Sequence, residues 1–193
     1  VGTIHMIRSM TIAAALLATA ACSTAKVDDT ANAGLPPLCK PGVALGKVAV
    51  VPLTHWRADQ KEPAVREAIA QAAINKAFEQ VPCAQSVSVT AIKPDTDGEA
   101  ALAAARASGA DTAVQVRIEE LGPIAVLSIP AVWSTWSDVK FNLKAVRLGS
   151  GETLLDIARH RKVGGAFNVR GLAPLQGELE TGLRDLIVAA PEK

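Results

Sequence analysis

The first feature of the chain is a regular exchange between strand-like and helix-like patterns over residues 46–118. Residues 46–53 form a short apolar, β-branched run, and residues 86–92 and 111–118 alternate between polar and apolar positions. Such runs predict strands, the first of them buried. Apolar residues recur at helical spacing over 63–81, and an alanine-rich segment covers 100–108. The order βαβαβ predicts right-handed crossovers and a partly parallel sheet.

The second half of the chain has a different pattern. Residues 139–146 and 153–159 are extended runs on either side of the Gly149-Ser150-Gly151 turn, which predicts a hairpin. Leucines at helical spacing after Pro174 predict a final helix. We therefore expect an α/β (α+β) domain in order βαβαβ-ββ-α, with three helices. Its mixed sheet of about five to six strands would lie in two or three layers.

The first 21 residues predict an export signal. Arg8 precedes the apolar run 12–18, and small residues follow at 19–21. The run is too short to cross a hydrocarbon core of about 30 Å. Composition agrees with a globular protein outside the nucleic-acid-binding classes, since 20 Lys and Arg balance 19 Asp and Glu and only 3% of residues are aromatic.

The end of this segment resembles the lipobox of bacterial lipoproteins, with Leu17, Thr19, Ala20 and Ala21 before Cys22. The resemblance implies cleavage before Cys22 and acylation, palmitate included, of its thiol and amine. By the same resemblance, a residue other than Asp after the cysteine, here Ser23, implies sorting to the outer membrane, with the protein on its periplasmic face. Thr19 departs from the large aliphatic residue that the motif prefers. An ordinary signal peptide or a buried helix is the alternative.

Residues 22–38 are small, polar and aperiodic up to Leu35-Pro36-Pro37, and predict a lipidated N-terminus followed by a flexible tether. The folded domain then occupies 39–193. Cys39 precedes the first strand and Cys83 follows the first helix, so a βαβ unit brings both to one end of the sheet. Export to an oxidising compartment then favours a disulfide. A reactive thiol or a metal site is the alternative, although no His or Cys stands at ligand spacing.

Three segments together resemble bacterial envelope lipoproteins of the CsgG, LpoB and TolB-N-terminal-like group: Lys47–Leu53, Ser108–Gly122 and Val139–Leu154. Their shared motifs are a Gly-Ala-Asp turn before a strand and a Ser-Gly-Glu turn inside a hairpin. Members of the group include a curli secretion pore and activators of peptidoglycan synthases. The resemblance therefore implies the fold and an envelope location, and it leaves the function open.

The uncharged segment Gly122–Trp136 holds Trp133 and Trp136. Pro123 and Pro130 are expected to interrupt any long strand there. Three interpretations remain: an apolar loop that docks a protein partner, shallow insertion into the membrane interface, or an edge strand that caps the core.

A second candidate contact is the loop His55-Trp56-Arg57 at the carboxyl end of the first strand, where α/β sheets often bind ligands. A solvated loop with Trp56 packed beneath it is the alternative. The basic cluster 159–162 is expected to be a solvated face, and contact with an acidic partner, a glycan or a lipid headgroup is the alternative. Glu119 and Glu120 are adjacent, so they are expected to point to opposite faces of a strand.

These patterns contain no motif of hydrolytic chemistry, and they lead to one main hypothesis. The protein would be a non-catalytic, lipid-anchored periplasmic module that binds or regulates cell-envelope assembly or secretion machinery, without cofactor or metal. Its partners would be an envelope protein and the membrane, not nucleic acid. The alternative is a lipid- or small-ligand-binding accessory of an envelope transporter, with the apolar segment as a groove wall. The oligomeric state stays open.

Overall fold

Strands and helices form where apolar periodicity is strong, in a computed structural model that describes residues 26–31, 37–56, 60–94, 96–128, 132–166 and 170–188. These ranges contain seven strands and three helices. In chain order they are β1 (Lys26–Ala31), β2 (Gly46–Thr54), α1 (Pro63–Ala77), β3 (Ala84–Val89), β4 (Lys93–Pro94), α2 (Gly98–Ala107), β5 (Thr112–Ser128), β6 (Val132–Arg147), β7 (Thr153–Ala166) and α3 (Leu175–Ile187).

All seven strands belong to one mixed sheet. Its order is β1-β7-β6-β5-β2-β3, and the two-residue β4 also pairs with β2. Strand β2 runs parallel to β3, β4 and β5, whereas β5, β6, β7 and β1 follow one another in antiparallel pairs. The predicted α+β class with a partly parallel sheet is confirmed.

The helices cover the two faces of the sheet unequally. Helices α1 and α3 pack on one face over the larger core, whose fully buried side chains include Ile74, Phe78, Phe141, Leu179 and Leu183. Helix α2 covers a smaller apolar cluster on the other face, which includes Val51, Leu53, Leu102 and Val146. Helix α2 does not cover the rest of that second face, which is formed by β5, β6 and β7. No helix in the described ranges is long and apolar enough to cross a membrane.

Part of the predicted tether lies on the sheet. Residues Lys26–Ala31 form β1, which pairs antiparallel with β7 from Gly164 to Arg159. The sequence predicts no structure here because six polar and small residues have no apolar period of their own. Pairing with a neighbouring edge supplies main-chain hydrogen bonds that do not depend on such a period. The register also sets Asp28 opposite Lys162.

The expectation that prolines interrupt the segment after Gly122 is wrong for Pro123. Strand β5 runs through it to Ser128 and forms a long hairpin with β6, where Pro123 lies opposite Ser137. The partner strand β2 ends at Thr54, so this part of β5 is a sheet edge. The carbonyl of Leu121 faces that edge and accepts a hydrogen bond from Arg66. Alternation turns the nitrogen of Pro123 to the same edge, where proline removes no bond between strands.

Local signals for turns and caps are largely confirmed. Gly109 follows α2 and Gly151 lies in the β6–β7 turn, and their φ values of 74° and 75° are in the left-handed region that glycine readily adopts. Helix α2 is capped by Asp97, whose carboxylate accepts a hydrogen bond from the Ala100 amide at 2.6 Å. The final helix is confirmed from Leu175.

The structure contains the Cys39–Cys83 disulfide. Both cysteines lie at the end of the sheet where β2 and β3 begin, as the βαβ argument requires. The segment around Cys39 is also held by α3, because the Cys39 amide donates to the Ile187 carbonyl at 2.8 Å.

A glycine in α3 has a packing role that gives a testable prediction. A Cβ on Gly182 would lie 3.1 Å from a ring carbon of Phe141, whereas a Cβ on Gly177 would meet nothing within 4 Å. Gly177→Ala is therefore expected to raise the free energy of unfolding by up to about 1 kcal/mol, the usual helix-propensity gain. Gly182→Ala should lose that gain to overpacking, which costs about 1–3 kcal/mol. Chemical denaturation of both variants checks this, and equal gains would contradict the packing role.

Candidate functional site

The part of the sheet that α2 leaves uncovered carries a cluster of charged and polar side chains, which we call the polar face. It comprises His55, Arg117, Glu119, Glu120, Asp138, Lys140 and His160, and these residues line a shallow cavity of about 500 Å³. They come from the carboxyl end of β2 and from the middle of β5, β6 and β7. Side chains two residues apart on a strand share a face, which explains how one row from each strand meets here.

A β-bulge brings the two adjacent glutamates to this cavity. Ile118 lies opposite Phe141 and Glu120 lies opposite Lys140, so Glu119 is an extra residue between them. The prediction that Glu119 and Glu120 point to opposite faces is therefore wrong, because a bulge breaks the two-residue period. The sequence carries this signal: the apolar positions of β5 step by two up to Ile118 and then by three to Leu121.

Each acidic group of the polar face has a partner. Glu119 forms an ion pair with Lys140 at 2.6 Å, and Glu120, only 8% exposed, accepts a hydrogen bond from Gln60 at 2.6 Å. The hydrogen bond to Glu119 is the main cause that raises the pKa of Lys140 above its usual value. Exposed pairs of this kind add only about 0–1 kcal/mol to stability. Their main effect is to hold a fixed pattern of charge on the surface.

Asp138 is the most buried acidic group of the polar face, with 4% of its surface exposed. His160 approaches one carboxylate oxygen at 2.6 Å and Lys162 approaches the other at 3.6 Å. A buried carboxylate is costly unless it is paired, so these two groups fix its position.

The predicted basic cluster 159–162 is divided between the two faces of β7. Arg159 is buried against α3, where it donates to the Gly182 carbonyl at 2.8 Å and pairs with Asp185 at 3.0 Å. His160 and Lys162 point instead to the polar face. The expectation of one solvated charge run is therefore wrong for Arg159, because a strand alternates its side chains.

The residues of the predicted loop contact His55-Trp56-Arg57 have different environments. His55 is exposed at the end of β2, lines the polar face, and also lines a neighbouring cavity of about 270 Å³ with Arg117. Trp56 is half-buried, packs against the larger core and donates to Glu67 at 3.0 Å, which matches the alternative of a packed indole. Arg57 lies outside the described residues.

The predicted tryptophan surface adjoins the polar face at one position. Trp136 is half-buried on β6, two residues from Asp138 and therefore on the same face. It lies opposite Gly164, and a Cβ on that glycine would overlap the Thr135 carbonyl oxygen. Trp133 is on the same strand, and its side chain is outside the description.

The other face of the same strands carries a buried polar pair. Arg170 and Glu178 lie 2.5 Å apart, with side chains 17% and 11% exposed. Burial raises the pKa of Glu178 above its usual value, against the opposing effect of Arg170. The Arg170 amide also donates to the Thr135 hydroxyl at 2.8 Å, which ties the hairpin to the start of α3.

A groove of about 1010 Å³ with mixed polar and apolar walls lies elsewhere, between the end of α1, the edge strand β3 and the end of α3. Its apolar walls include Phe78, Val87, Val89 and Ile187. The segment Gly122–Trp136 is predicted as a groove wall, but none of its residues whose side chains are described lines this groove. Within the described part of the chain, no group of three or more His, Cys, Asp or Glu residues is placed to hold a metal ion.

Comparison with known proteins gives similarity of structure only. No family model and no curated protein matches the chain. The PelC dodecamer from Paraburkholderia phytofirmans is 15% identical with a TM-score of 0.46, covering 86% of this chain and 100% of that chain. Lipoprotein GNA1162 from Neisseria meningitidis is 16% identical with a TM-score of 0.45, covering 75% and 99%.

TolB from Acinetobacter baumannii is 9% identical with a TM-score of 0.29, covering 85% of this chain and 30% of that chain. Of the proteins named in the predicted resemblance, TolB is among these structures. The resemblance to CsgG and LpoB stays a prediction. Each similarity concerns the path of the chain and not its chemistry.

Proposed function

We propose that this chain is a non-catalytic envelope protein, lipid-anchored at Cys22 on the periplasmic face of the outer membrane. It binds or regulates envelope assembly or secretion machinery. The lipobox-like sequence supports the anchor. The Cys39–Cys83 disulfide supports an oxidising compartment such as the periplasm.

The arrangement of the polar face carries the proposal of a binding role. Its carboxylates are already engaged by neighbouring side chains, as Asp138 is by His160 and Lys162. A fixed, mixed pattern of charge on an open sheet face suits recognition of a complementary protein surface. Trp136 at its margin supplies the kind of aromatic residue that contributes most to such interfaces.

Two matched lysines allow a direct test of this binding role. Lys140 and Lys76 each form a 2.6 Å ion pair with a glutamate and are 49% and 54% exposed, but only Lys140 lies on the polar face. Truncating a hot-spot residue of an interface costs about 2 kcal/mol or more, which is roughly 30-fold in affinity. Lys140→Ala/Trp136→Ala should therefore lose the partners that cross-linking and pull-down recover from whole envelopes.

Lys76→Ala is the control and should recover the same partners as the wild type. Circular dichroism and thermal unfolding establish that each variant is folded. Unchanged recovery with a folded Lys140→Ala/Trp136→Ala variant would contradict the proposed surface. Trp133→Ala/Trp136→Ala, compared in the same pull-down, separates the role of the tryptophans from that of the charges.

The groove between α1, β3 and α3 favours one second candidate, a lipid- or small-ligand-binding accessory of an envelope transporter. Its volume of about 1010 Å³ suits an acyl chain or a drug-sized molecule. Mass spectrometry of the purified protein would then detect a copurified lipid. Val89→Asp, in the groove wall, should release that lipid and leave partner recovery unchanged.

A further inference from the structure

The register of the four antiparallel strands aligns the predicted lipid anchor with the end of the long hairpin. Lys26 lies opposite Gly164, Gly164 opposite Trp136, and Trp136 opposite Ile124, so one row crosses β1, β7, β6 and β5. Going backwards along the chain from Lys26 leads towards Cys22. This direction is the same as that from Ile124 towards the end of the β5–β6 hairpin. This follows because each neighbouring pair of strands is antiparallel.

The length of the hairpin beyond this row matches the length of chain between Lys26 and Cys22. Strand β5 continues four residues from Ile124 to Ser128, and β6 starts four residues before Trp136 at Val132. At about 3.3 Å per residue, the strands extend roughly 13 Å beyond the row. Cys22 also precedes Lys26 by four residues, which span at most about 14 Å. The anchor can therefore lie level with the end of the hairpin.

Charge is distributed unevenly along the same strands. Residues 121–137 contain no Asp, Glu, Lys or Arg. The charged side chains of the polar face begin at Asp138, one residue beyond that stretch. The hairpin is thus polar at its base and uncharged at its end, and the uncharged end contains tryptophans 133 and 136. Tryptophan is enriched where protein meets the interface of a bilayer.

We propose that the end of the β5–β6 hairpin, residues 124–128 and 132–136, enters the interface of the bilayer that holds the Cys22 lipid. This inference rests on the proposed lipidation of Cys22. Interfacial segments enter the headgroup boundary to a depth of about 5–10 Å, which the 13 Å extension accommodates. Two attachments then orient the strands along the membrane normal and hold the polar face at a fixed height in the periplasm.

Fluorescence quenching by lipids with brominated acyl chains tests this contact. The mature lipidated protein is purified from membranes with Trp56→Phe, which leaves two tryptophans, and is reconstituted into phosphatidylcholine–phosphatidylglycerol vesicles. We expect brominated lipid to quench the emission, and Trp133→Phe to remove most of the quenching. The control variant Trp133→Phe/Trp136→Phe retains Trp56, which packs against the core and should keep its emission.

A pair of charge substitutions provides the second readout. Leu127→Asp at the hairpin end should abolish the quenching, whereas Ser150→Asp, in the turn at the opposite end of the sheet, should leave it unchanged. Thermal unfolding establishes that both variants are folded. Unquenched emission from vesicle-bound protein would overturn the inference, as would cross-links from residue 127 to protein in place of lipid.

Failure of the proposed function gives a different result in the same experiment. Mass spectrometry would then find Cys22 without acyl chains. In that case the free thiol is coupled to vesicles that carry a maleimide headgroup. Quenching of Trp133 in the coupled protein would still support the membrane contact of the hairpin, and its absence would refute it.

Discussion

Replacing either Cys39 or Cys83 with serine is expected to lower the free energy of unfolding by about 4 kcal/mol. The two residues are separated by 44 positions. A cross-link over a loop of this size lowers the conformational entropy of the unfolded chain. At 25 °C this stabilises the folded state by about 4 kcal/mol. Since domains of this kind are stable by only about 5–15 kcal/mol, the loss is a large share of the total.

The site of the disulfide adds to this expectation. It joins the segment before β2 to the turn before β3, and the same segment pairs with the end of α3 through the Cys39–Val188 bridge. Denaturation with urea, with and without dithiothreitol, measures the effect. The single variants, the double variant and the reduced wild type should all lose the same free energy. A loss near zero in all four would contradict a structural role for the bridge.

The parts of the fold that the sequence predicts are those with a local period or a local turn signal. The α3 leucines repeat every turn, and Gly109 and Gly151 occupy turns that need a positive φ. Strand β1 has no comparable signal. Its place follows from the edge of β7, and the opposition of Asp28 and Lys162 is visible only once the register is known.

The polar face shows where local reasoning about the candidate site fails. His55 was accessible to prediction because it follows an apolar strand directly. Asp138 and Lys140 belong to an extended run whose partners lie on other strands, so their pairing depends on register. Glu119 and Glu120 meet because of a bulge, whose signal is the three-residue step from Ile118 to Leu121. The prediction for Pro123 fails because a proline interrupts a strand only where its nitrogen faces a neighbouring strand, and here it faces the edge of the sheet.

Cys22→Ser is expected to remove the protein from the membrane. Removing residues 1–21 takes away Arg8 and no other charged residue, so the mature chain has 20 − 1 − 19 = 0 net charge with histidine neutral. No excess of basic residues then attracts anionic lipid, and attachment depends on the acyl chains. Each buried CH₂ contributes about 0.8 kcal/mol, so several chains anchor a protein stably, whereas one weak contact gives only reversible binding.

Fractionation of cells that express Cys22→Ser tests the central claim most directly, with Ser23→Ala as the control for an adjacent substitution that keeps the cysteine. Immunoblots of periplasmic, inner-membrane and outer-membrane fractions locate each protein. We predict that the wild type and Ser23→Ala sediment with the outer membrane and that Cys22→Ser remains soluble in the periplasm. Sedimentation of Cys22→Ser with the outer membrane, in the same proportion as the wild type, would contradict the account.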